Sequence, residues 1–399
     1  MADESPTHCK MANLGLNFDM SGMIQPCTIS SYWIKDKNNN YMRLSSSTVE
    51  EAWNNEGRKQ FVANLNNGIK QSCCDTCWKV EESGAQSQRQ LWNEMLQGVE
   101  PVEDQPRIMV IKAGNKCNNA CRSCNADTSS AWYKDAYELG PKTVDYKTWL
   151  KKFDGHRTTY KNNKRLEETF HKWQDKIIFW DLYGGEPLII PMNYTIIKDS
   201  IAKGTSKNQM LQIHTNGMVY DKDLIEMASH FKSFTLGYSI DAVGPKNDYV
   251  RKKSKWKNIL TNLQNYKRDI AKYPNMKLVI RNCATPFNVY YLDEFYDFFT
   301  HHTPVRIGSP TIVNDAPRTD ISYLPNNVKQ VVIKKLLNYE KADERYLGWI
   351  NQTIKWLQFT PPGHKKYENS FLEFNKKLDD IRKETFIEVM PDYATLFKV

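Results

Sequence analysis

The sequence Cys117-Asn-Asn-Ala-Cys121-Arg-Ser-Cys124 places three cysteines within one short segment. The C-x3-C and C-x2-C spacings let thiolates from a single tight loop converge on one metal centre. A structural zinc ion needs four ligands, and this segment supplies three with no histidine beside them. A four-iron cluster held by three thiolates keeps one iron open for a small molecule. The segment therefore predicts a metal centre and favours an iron–sulfur cluster, with zinc as the alternative.

This segment follows the first of several apolar runs that alternate with helical stretches. Candidate strands lie at residues 107–113, 176–183, 209–214, 233–240, 277–282 and 304–312. They are short, rich in Ile, Val, Phe and Tyr, and bounded by turn residues. Amphipathic or polar stretches indicate helices at residues 193–203, 224–231, 256–273 and 292–301. The alternation predicts an α/β fold built from parallel strands with helical connections.

Six strand–helix units fit residues 107–320, which is too few for a closed eight-stranded barrel. We therefore expect an open or partial (β/α)6 barrel. In parallel barrels the chemistry lies at the carboxyl ends of the strands. The cysteine segment directly follows the first predicted strand, which is where such a site is expected.

The composition is that of an ordinary globular protein. The chain has 399 residues, of which 40% are hydrophobic and 25% charged, and a formal net charge of +9. No apolar run is long enough to span a membrane. The N-terminus lacks the apolar core of a signal peptide, so we expect a cytoplasmic protein, in which cysteines bind metal more often than they form disulfides. Basic clusters at 161–165 and 251–257 are most simply solvated surface, with an anionic partner such as nucleic acid as the alternative.

With these features the sequence resembles the radical S-adenosylmethionine (SAM) enzymes. Their defining loop is C-x3-C-x2-C after the first strand of a partial (β/α)6 barrel, and Cys117, Cys121 and Cys124 match it. The resemblance implies a [4Fe–4S] cluster on these cysteines whose open iron binds SAM. It also implies reductive cleavage of SAM to a 5′-deoxyadenosyl radical, which abstracts hydrogen from a substrate while the protein supplies placement.

A second signature of this family follows the second predicted strand, at Tyr183-Gly184-Gly185-Glu186-Pro187. Two glycines allow backbone groups to approach a ligand closely, and a carboxylate can accept from an ammonium group. The family uses this motif for the methionine amino group of SAM. The resemblance therefore assigns Tyr183, Gly184, Gly185 and Glu186 to cofactor binding.

The third predicted strand ends in His214-Thr215-Asn216-Gly217. Related enzymes often place polar groups near SAM here, so the resemblance assigns Thr215 and Asn216 to the cofactor. His214 is a candidate catalytic residue, with plain packing as its alternative. Cys283 ends the fifth predicted strand and is the other candidate, as a radical relay or hydrogen-atom donor; its alternative role is that of a small buried hydrophobe.

The fourth predicted strand ends in a pattern that resembles the S-x-D-G-P segment of the SPASM/twitch subgroup. There, Ser239 and Asp241 correspond to groups near the SAM ribose, and Arg251 to the arginine that pairs with the SAM carboxylate. Two additional residues follow Asp241, so Arg251 is assigned either to this role or to the surface. Ser123 replaces an aromatic residue that packs near adenine in many relatives, so the adenine contact must be built differently.

The N-terminal cysteines resemble a second cluster site. The spacing from Cys9 to Cys27 matches the C-x9–15-G-x4-C opening of SPASM and twitch domains, and Cys74-x2-Cys77 supplies the closing pair. This implies a second [4Fe–4S] cluster of the twitch type, ligated by all four thiolates. Cys73 in place of Cys74, and a zinc knuckle in place of the cluster, are the alternatives. Twitch domains usually follow the barrel, whereas this one precedes it.

These motifs predict three parts: a twitch-like domain and linker at 1–104, a radical SAM partial barrel at 105–320, and a helical extension at 321–399. The leading hypothesis is a radical SAM oxidoreductase, a dehydrogenase or peptide-modifying enzyme whose auxiliary cluster accepts an electron. We favour a peptide or protein side chain as substrate over a small alcohol-like molecule. The resemblance further implies an electron donor such as flavodoxin or ferredoxin, and no membrane partner.

Two other functions remain as alternatives. One is a radical SAM enzyme that modifies RNA or a nucleotide, which the basic clusters motivate. The other is a non-catalytic zinc or iron–sulfur binding protein. Thiolates bound to clusters would make the loaded protein less basic than its sequence, which weakens the case for nucleic acid.

Overall fold

The computed structural model describes residues 5–84, 86–102, 104–313, 316–339 and 344–397. Among these residues the strands are β1 (Gly15–Phe18), β2 (Ile24–Gln25), β3 (Ile108–Lys112), β4 (Phe179–Tyr183), β5 (Met210–Thr215), β6 (Ser233–Ser239), β7 (Met276–Arg281), β8 (Cys283–Ala284) and β9 (Thr311–Ile312). The helices up to β6 are α1 (Lys10–Leu14), α2 (Val49–Trp53), α3 (Glu56–Asn66), α4 (Asp75–Glu82), α5 (Gln88–Met95), α6 (Tyr133–Leu139), α7 (Tyr146–Leu150), α8 (Asp154–Thr158), α9 (Lys164–Trp173), α10 (Pro191–Ala202) and α11 (Lys222–Ala228). Those after β6 are α12 (Pro245–Val250), α13 (Trp256–Ile270), α14 (Leu292–Asp297), α15 (Asn326–Leu337), α16 (Glu344–Gln358), α17 (His364–Tyr367), α18 (Ser370–Arg382), α19 (Phe386–Val389) and α20 (Pro391–Ala394).

One sheet forms the centre of the described chain, with the strand order β2-β1-β3-β4-β5-β6-β7. Each neighbouring pair from β1 to β7 is parallel, and β2 runs antiparallel to β1. Parallel neighbours need crossover connections, and the helices between β3 and β7 provide them. The prediction of a mixed α/β fold with a parallel sheet is confirmed.

Strand β3 is buried on both faces, which explains its continuous apolar sequence. Met109 and Ile111 belong to the main core of the molecule. Ile108 and Val110 point to the opposite face and pack with Trp92 of α5 and with Phe179. A parallel strand covered on both sides carries apolar residues throughout rather than in alternation. The face that carries Ile108 and Val110 is called the inner face below.

The strand predicted at 304–312 is interrupted in the structure. Ile307 forms an isolated parallel bridge with Ile280 of β7, and only Thr311–Ile312 forms a further strand, β9, against β8. Pro304 and Pro310 explain the interruption, because proline has no N–H to donate to a strand ladder. In place of the sixth predicted strand, the structure has the bridge between Ile280 and Ile307 and the short pair of β8 with β9.

The N-terminal segment shares the central sheet with the strands that follow residue 105. Gly15 to Phe18 of β1 pair in register with Ile108 to Ile111 of β3. The buried amide of Asn17 donates to Gln25 Oε1 over 2.9 Å and so ties β1 to β2. After residue 321 the described chain is helical, from α15 to α20. Within the described segments, we find no helix whose length and apolar character would let it cross a membrane.

Candidate active site at the cysteine loop

The cysteine loop, residues 113–132, begins where β3 ends and is held by its own later residues. The Cys117 N–H donates to Ser130 Oγ over 3.1 Å. The Ser129 hydroxyl donates to the carbonyl of Asn119 over 2.6 Å, and the indole of Trp132 donates to the carbonyl of Cys121 over 2.7 Å. Side chains from the second half of the loop thus satisfy backbone groups of the first half, which orders the segment that carries the three thiols.

The three thiols of this loop lie in a desolvated environment. Burial is the main cause that raises the pKa of Cys117 to about 11. A hydrogen bond between the other two thiols raises the pKa of Cys121 and lowers that of Cys124. Arg251 lies close enough to favour the thiolate of both. The structure therefore brings together the three cysteines that the motif singled out, next to one cation.

The Gly184-Gly185 turn packs directly onto the cysteine loop. The Gly185 N–H donates to Gly114 O over 3.0 Å, and the Glu186 N–H donates to Lys116 O over 2.8 Å. A Cβ atom on Gly185 would lie 2.2 Å from the carbonyl oxygen of Lys116. Gly184 has φ +121°, a conformation that side chains rarely adopt. Both glycines are required so that the end of β4 can meet the loop.

Glu186 is fully buried behind this turn and is met by the end of β5. Its carboxylate accepts from the Thr215 hydroxyl over 2.8 Å and from the Asn216 N–H over 2.7 Å. Burial raises the pKa of Glu186, and these two hydrogen bonds oppose the rise. The Asn216 amide donates to Asn118 Oδ1 over 2.6 Å and lies 3.8 Å from Cys117 Sγ. Glu186, Thr215 and Asn216 are thus assembled beside Cys117.

Asp241 and Arg251 form a buried ion pair on the other side of the loop. Arg251 donates to Asp241 Oδ2 over 2.7 Å, with side chains 11% and 3% exposed. The Arg251 Nε–H is buried and has no hydrogen-bond partner among the described residues. Asp241 also accepts from the Cys283 N–H over 3.1 Å. Ser239 lies at the end of β6 in register with Arg281. The structure therefore places Arg251 inside the site and not at the surface.

Four cysteines of the N-terminal segment line one small cavity. They are Cys9, Cys27, Cys74 and Cys77. Cys73 does not line this cavity. Its backbone carbonyl accepts the Ser31 N–H over 2.9 Å. Burial is the main cause that raises the pKa of Cys77 to about 12. The indole N–H of Trp92, which also lines the cavity, is buried and has no partner in the described chain.

None of the nine cysteines, all of which lie in described segments, forms a disulfide. Among the described side chains, no group of three or more His, Cys, Asp or Glu residues has an arrangement that could hold a single metal ion.

Lys112 and Tyr183 lie on the inner face of the sheet between the two cysteine sets. The Lys112 ammonium donates to Thr28 O, next to Cys27, over 3.4 Å and lies 5.3 Å from the centre of the Tyr183 ring. Desolvation lowers the pKa of Lys112, while Asp19, Cys27 and Asp181 oppose that effect. The inner face thus connects the N-terminal cavity with the carboxyl edge of the sheet.

His214 is part of a polar group on the same face. Its Nε2 lies 2.9 Å from the Gln212 amide and 3.5 Å from Asp181 Oδ1. Its ring lies 5.6 Å from that of Tyr183 in an edge-on arrangement. A cavity of about 940 Å³ follows the inner face from Phe179 to Arg281, within the volume range of ligand pockets. His214 is therefore a partly exposed polar residue, with its side chain 27% exposed, on the face that this cavity follows.

Four residues of this site escaped the sequence interpretation: Arg122, Asn118, Lys112 and Asp181. The last two carried a signal, because each is a charged residue inside an otherwise apolar strand run. Such a residue either faces a cavity or meets a buried counter-charge. Asn118 and Arg122 gave no such signal in the sequence, because polar residues between cysteines are ordinary in a loop.

Comparisons with known proteins give low similarities. No family model matches the chain, and no curated protein matches it. A solved structure described as native anSMEcpe with bound AdoMet is 14% identical, with a TM-score of 0.39; the alignment covers 60% of this chain and 63% of that one. The chain therefore spans less than two thirds of that protein. SuiB of Streptococcus suis is 14% identical with a TM-score of 0.34, and the alignment covers 83% of this chain and 69% of that one. Its complex with the precursor peptide SuiA is 12% identical with a TM-score of 0.27, covering 75% of this chain and 72% of that one.

Proposed function

We propose that this chain is a radical SAM enzyme in which Cys117, Cys121 and Cys124 ligate a [4Fe–4S] cluster. The observation that supports this most is the meeting of three strand ends at the cysteine loop. Glu186 follows β4, Asn216 follows β5, and the Asp241–Arg251 pair follows β6. Carboxyl ends of neighbouring parallel strands are where α/β proteins bind ligands. A loop that needed only a structural metal would not require this set of buried polar groups.

Three thiols, a buried carboxylate and a guanidinium are the donor types that a cluster with SAM would use. Such a cluster, held by Cys117, Cys121 and Cys124 and with SAM bound, would supply the radical chemistry that removes a hydrogen atom from a substrate. Glu186 offers a buried carboxylate to the SAM amino group, and Thr215 and Asn216 fix the orientation of that carboxylate. The unpartnered Nε–H of Arg251 is available to the SAM carboxylate. Asp241 keeps Arg251 in place.

We further propose that the N-terminal cysteines hold an auxiliary [4Fe–4S] cluster of the twitch type. The shared cavity of the four thiols supports this set and favours Cys74 over Cys73. The unpartnered Trp92 indole N–H could donate to a cluster sulfur, a contact that tunes reduction potential. In this proposal the twitch-like part at 1–104 precedes a partial barrel at 105–320, and a cluster held by Cys9, Cys27, Cys74 and Cys77 would supply an acceptor for an electron from the substrate.

The substrate is proposed to be a peptide or protein side chain, ahead of a small alcohol-like molecule. The cavity along the inner face supports this, because it is large and bordered by Trp349 of α16 as well as by the sheet. Asp181 and His214 lie on that face, 3.5 Å apart, and are the proposed candidates for accepting a proton. A flavodoxin- or ferredoxin-like donor in the cytoplasm would supply the reducing electron.

Anaerobic reconstitution tests the proposal. The loaded chain is expected to bind about eight irons and, with dithionite, to release 5′-deoxyadenosine from SAM. Bound zinc without SAM cleavage would instead identify a non-catalytic binding protein. Iron analysis and liquid chromatography measure both quantities.

Two cysteine variants separate the roles of the clusters. Cys121→Ala is expected to abolish SAM cleavage, because it removes a ligand of the SAM cluster. Cys77→Ala is expected to leave SAM cleavage intact but to impair conversion of a substrate found by a mass-spectrometric peptide screen. Cys73→Ser is the matched control and should behave as wild type. Full product yield from Cys77→Ala would refute the electron-acceptor role.

A further inference from the structure

Arg122 lies between two of the cysteines of the loop and is completely buried. Its side chain stacks on Tyr249 of α12, with the guanidinium 3.6 Å from the ring centre. The Nε–H donates to the carbonyl of Tyr249 over 3.0 Å. A buried guanidinium needs counter-charges. The one carboxylate of α12, Asp248, accepts instead from the Ser254 hydroxyl and the Trp256 N–H.

The counter-charges come from the C-terminal helix α18 and the residues after it. Arg122 donates to Asp379 over 2.5 Å, to Glu384 over 2.7 Å and to Asn375 over 2.6 Å. Lys252 donates to the other oxygen of Glu384 over 2.7 Å, so two cations meet two anions. Arg122 and Lys252 are thus matched by the carboxylates of Asp379 and Glu384, so each charge in this group of four has a partner of opposite sign.

Three further contacts join α18 to the loop and its small core, and one of them reaches the loop backbone. Arg382 donates to the carbonyl of Ala120 over 2.8 Å and lies over the ring of Trp132. Trp132 in turn donates to the carbonyl of Cys121. Leu378 packs into the small core formed by the loop and the helices that follow it.

We infer that Arg122 is a positioning residue through which the C-terminal segment 370–386 sets the arrangement of the cysteine loop. This inference gives the C-terminal extension a role. It rests on the proposed function only where it takes a [4Fe–4S] cluster as the ligand of the loop. Asp379 and Glu384 are positioning residues of the same site. They act on the loop through their hydrogen bonds to Arg122.

Site-resolved alkylation of the full-length, metal-free protein tests the inference. Asp379→Asn keeps the shape of the side chain but removes its charge, and Glu384→Gln is a milder version at a partly exposed position. Asp379→Asn is expected to raise the alkylation rates of Cys117, Cys121 and Cys124 about tenfold, the mark of easier local opening, and Glu384→Gln to raise them by a smaller factor. Cys9, Cys27 and Cys77 are expected to keep their rates. Peptide mass spectrometry measures each thiol separately.

The chain offers a matched control at the other cysteine set. Arg89 lines the N-terminal cavity and forms a bidentate ion pair with Glu81, at 3.0 and 2.7 Å. Glu81→Gln should therefore accelerate Cys9 and Cys77 and leave the cysteine loop unchanged. Equal acceleration of both sets by Asp379→Asn would show general loosening and overturn the inference, as would unchanged rates at the loop.

A second readout concerns the loaded enzyme. In reconstituted Asp379→Asn, the SAM-dependent change in the EPR spectrum of the reduced cluster is expected to be diminished, with the total iron content retained. An undiminished change would count against positioning. If the wild-type protein bound no cluster, the proposed function would fail, while the alkylation pattern would still decide the role of Arg122.

Discussion

Arg251 and Asp241 hold opposite charges in the interior of the site, 2.7 Å apart. Both are desolvated, so each depends on the other for compensation. The same pair also receives the backbone N–H of Cys283, which links the start of β8 to Asp241. Removing the charge of either Arg251 or Asp241 is therefore expected to destabilise the site.

We expect Arg251→Gln to lower the free energy of unfolding by about 3–5 kcal/mol, because it leaves the Asp241 carboxylate buried without a cation. Urea denaturation followed by circular dichroism measures this change. The double variant Arg251→Gln/Asp241→Asn should recover part of the loss. Lys257→Gln, at an exposed position of the same basic segment, is the control and should lie within about 0.5 kcal/mol of wild type. A similarly small effect for Arg251→Gln would contradict the pairing.

The sequence predicted which residue types line this site but not how they contact one another. Glu186 was expected to face a ligand, and its motif gave no sign that Thr215 and Asn216 would hold it. Arg122 had no signal at all, because its anionic partners lie 257 and 262 residues further along the chain. Side-chain partners of this kind depend on tertiary packing, which local spacing does not report.

The turn after β4 is the element that brings the second strand end onto the cysteine loop. Its backbone approaches the loop so closely that no side chain fits at Gly185. Gly185→Ala is expected to push residues 114–117 away from the turn. We expect lower stability, by about 1–3 kcal/mol, and faster alkylation of Cys117, because an inserted methyl group meets backbone that must shift.

Gly348 supplies the control for this variant. It lies in α16, and a Cβ added there would meet nothing within 4 Å. Gly348→Ala should be neutral or stabilising by up to about 1 kcal/mol, because alanine favours helix. Thermal unfolding of both variants gives the comparison. A Gly185→Ala protein as stable as Gly348→Ala would refute the close approach.

The strand positions were predictable because apolar runs between turn residues are a local property. The run at 176–183 contains β4 (Phe179–Tyr183), and the run at 233–240 contains β6 (Ser233–Ser239). The broken strand at 304–312 was less predictable, although its two prolines carried the warning. The pairing of β1 with β3 was out of reach, because β1 is a four-residue segment whose partner lies more than ninety residues later.

The central sheet runs without interruption from the N-terminal cysteine segment to β7. We expect the N-terminal segment that carries β1 to unfold together with strands β3 to β7, because β1 shares its hydrogen-bond ladder with β3. Native-state hydrogen exchange should give residues 15–18 the same protection class as residues 108–112. Rapid exchange at 15–18 with full protection at 108–112 would show that the N-terminal segment opens on its own. The exposed turn at 37–39 should exchange rapidly in either case.

The link between Arg122 and the C-terminal segment also orders events during protein synthesis. The ribosome makes the cysteine loop long before it makes Asp379 and Glu384, so the nascent loop carries an arginine with no counter-ions. That arginine stays hydrated until residues 375–384 are made, so the loop is not fully packed before then. The loop is therefore expected to reach its final arrangement only after residue 384 has been made, and a chain truncated before residue 375 would keep the central sheet but lack the counter-ions of Arg122.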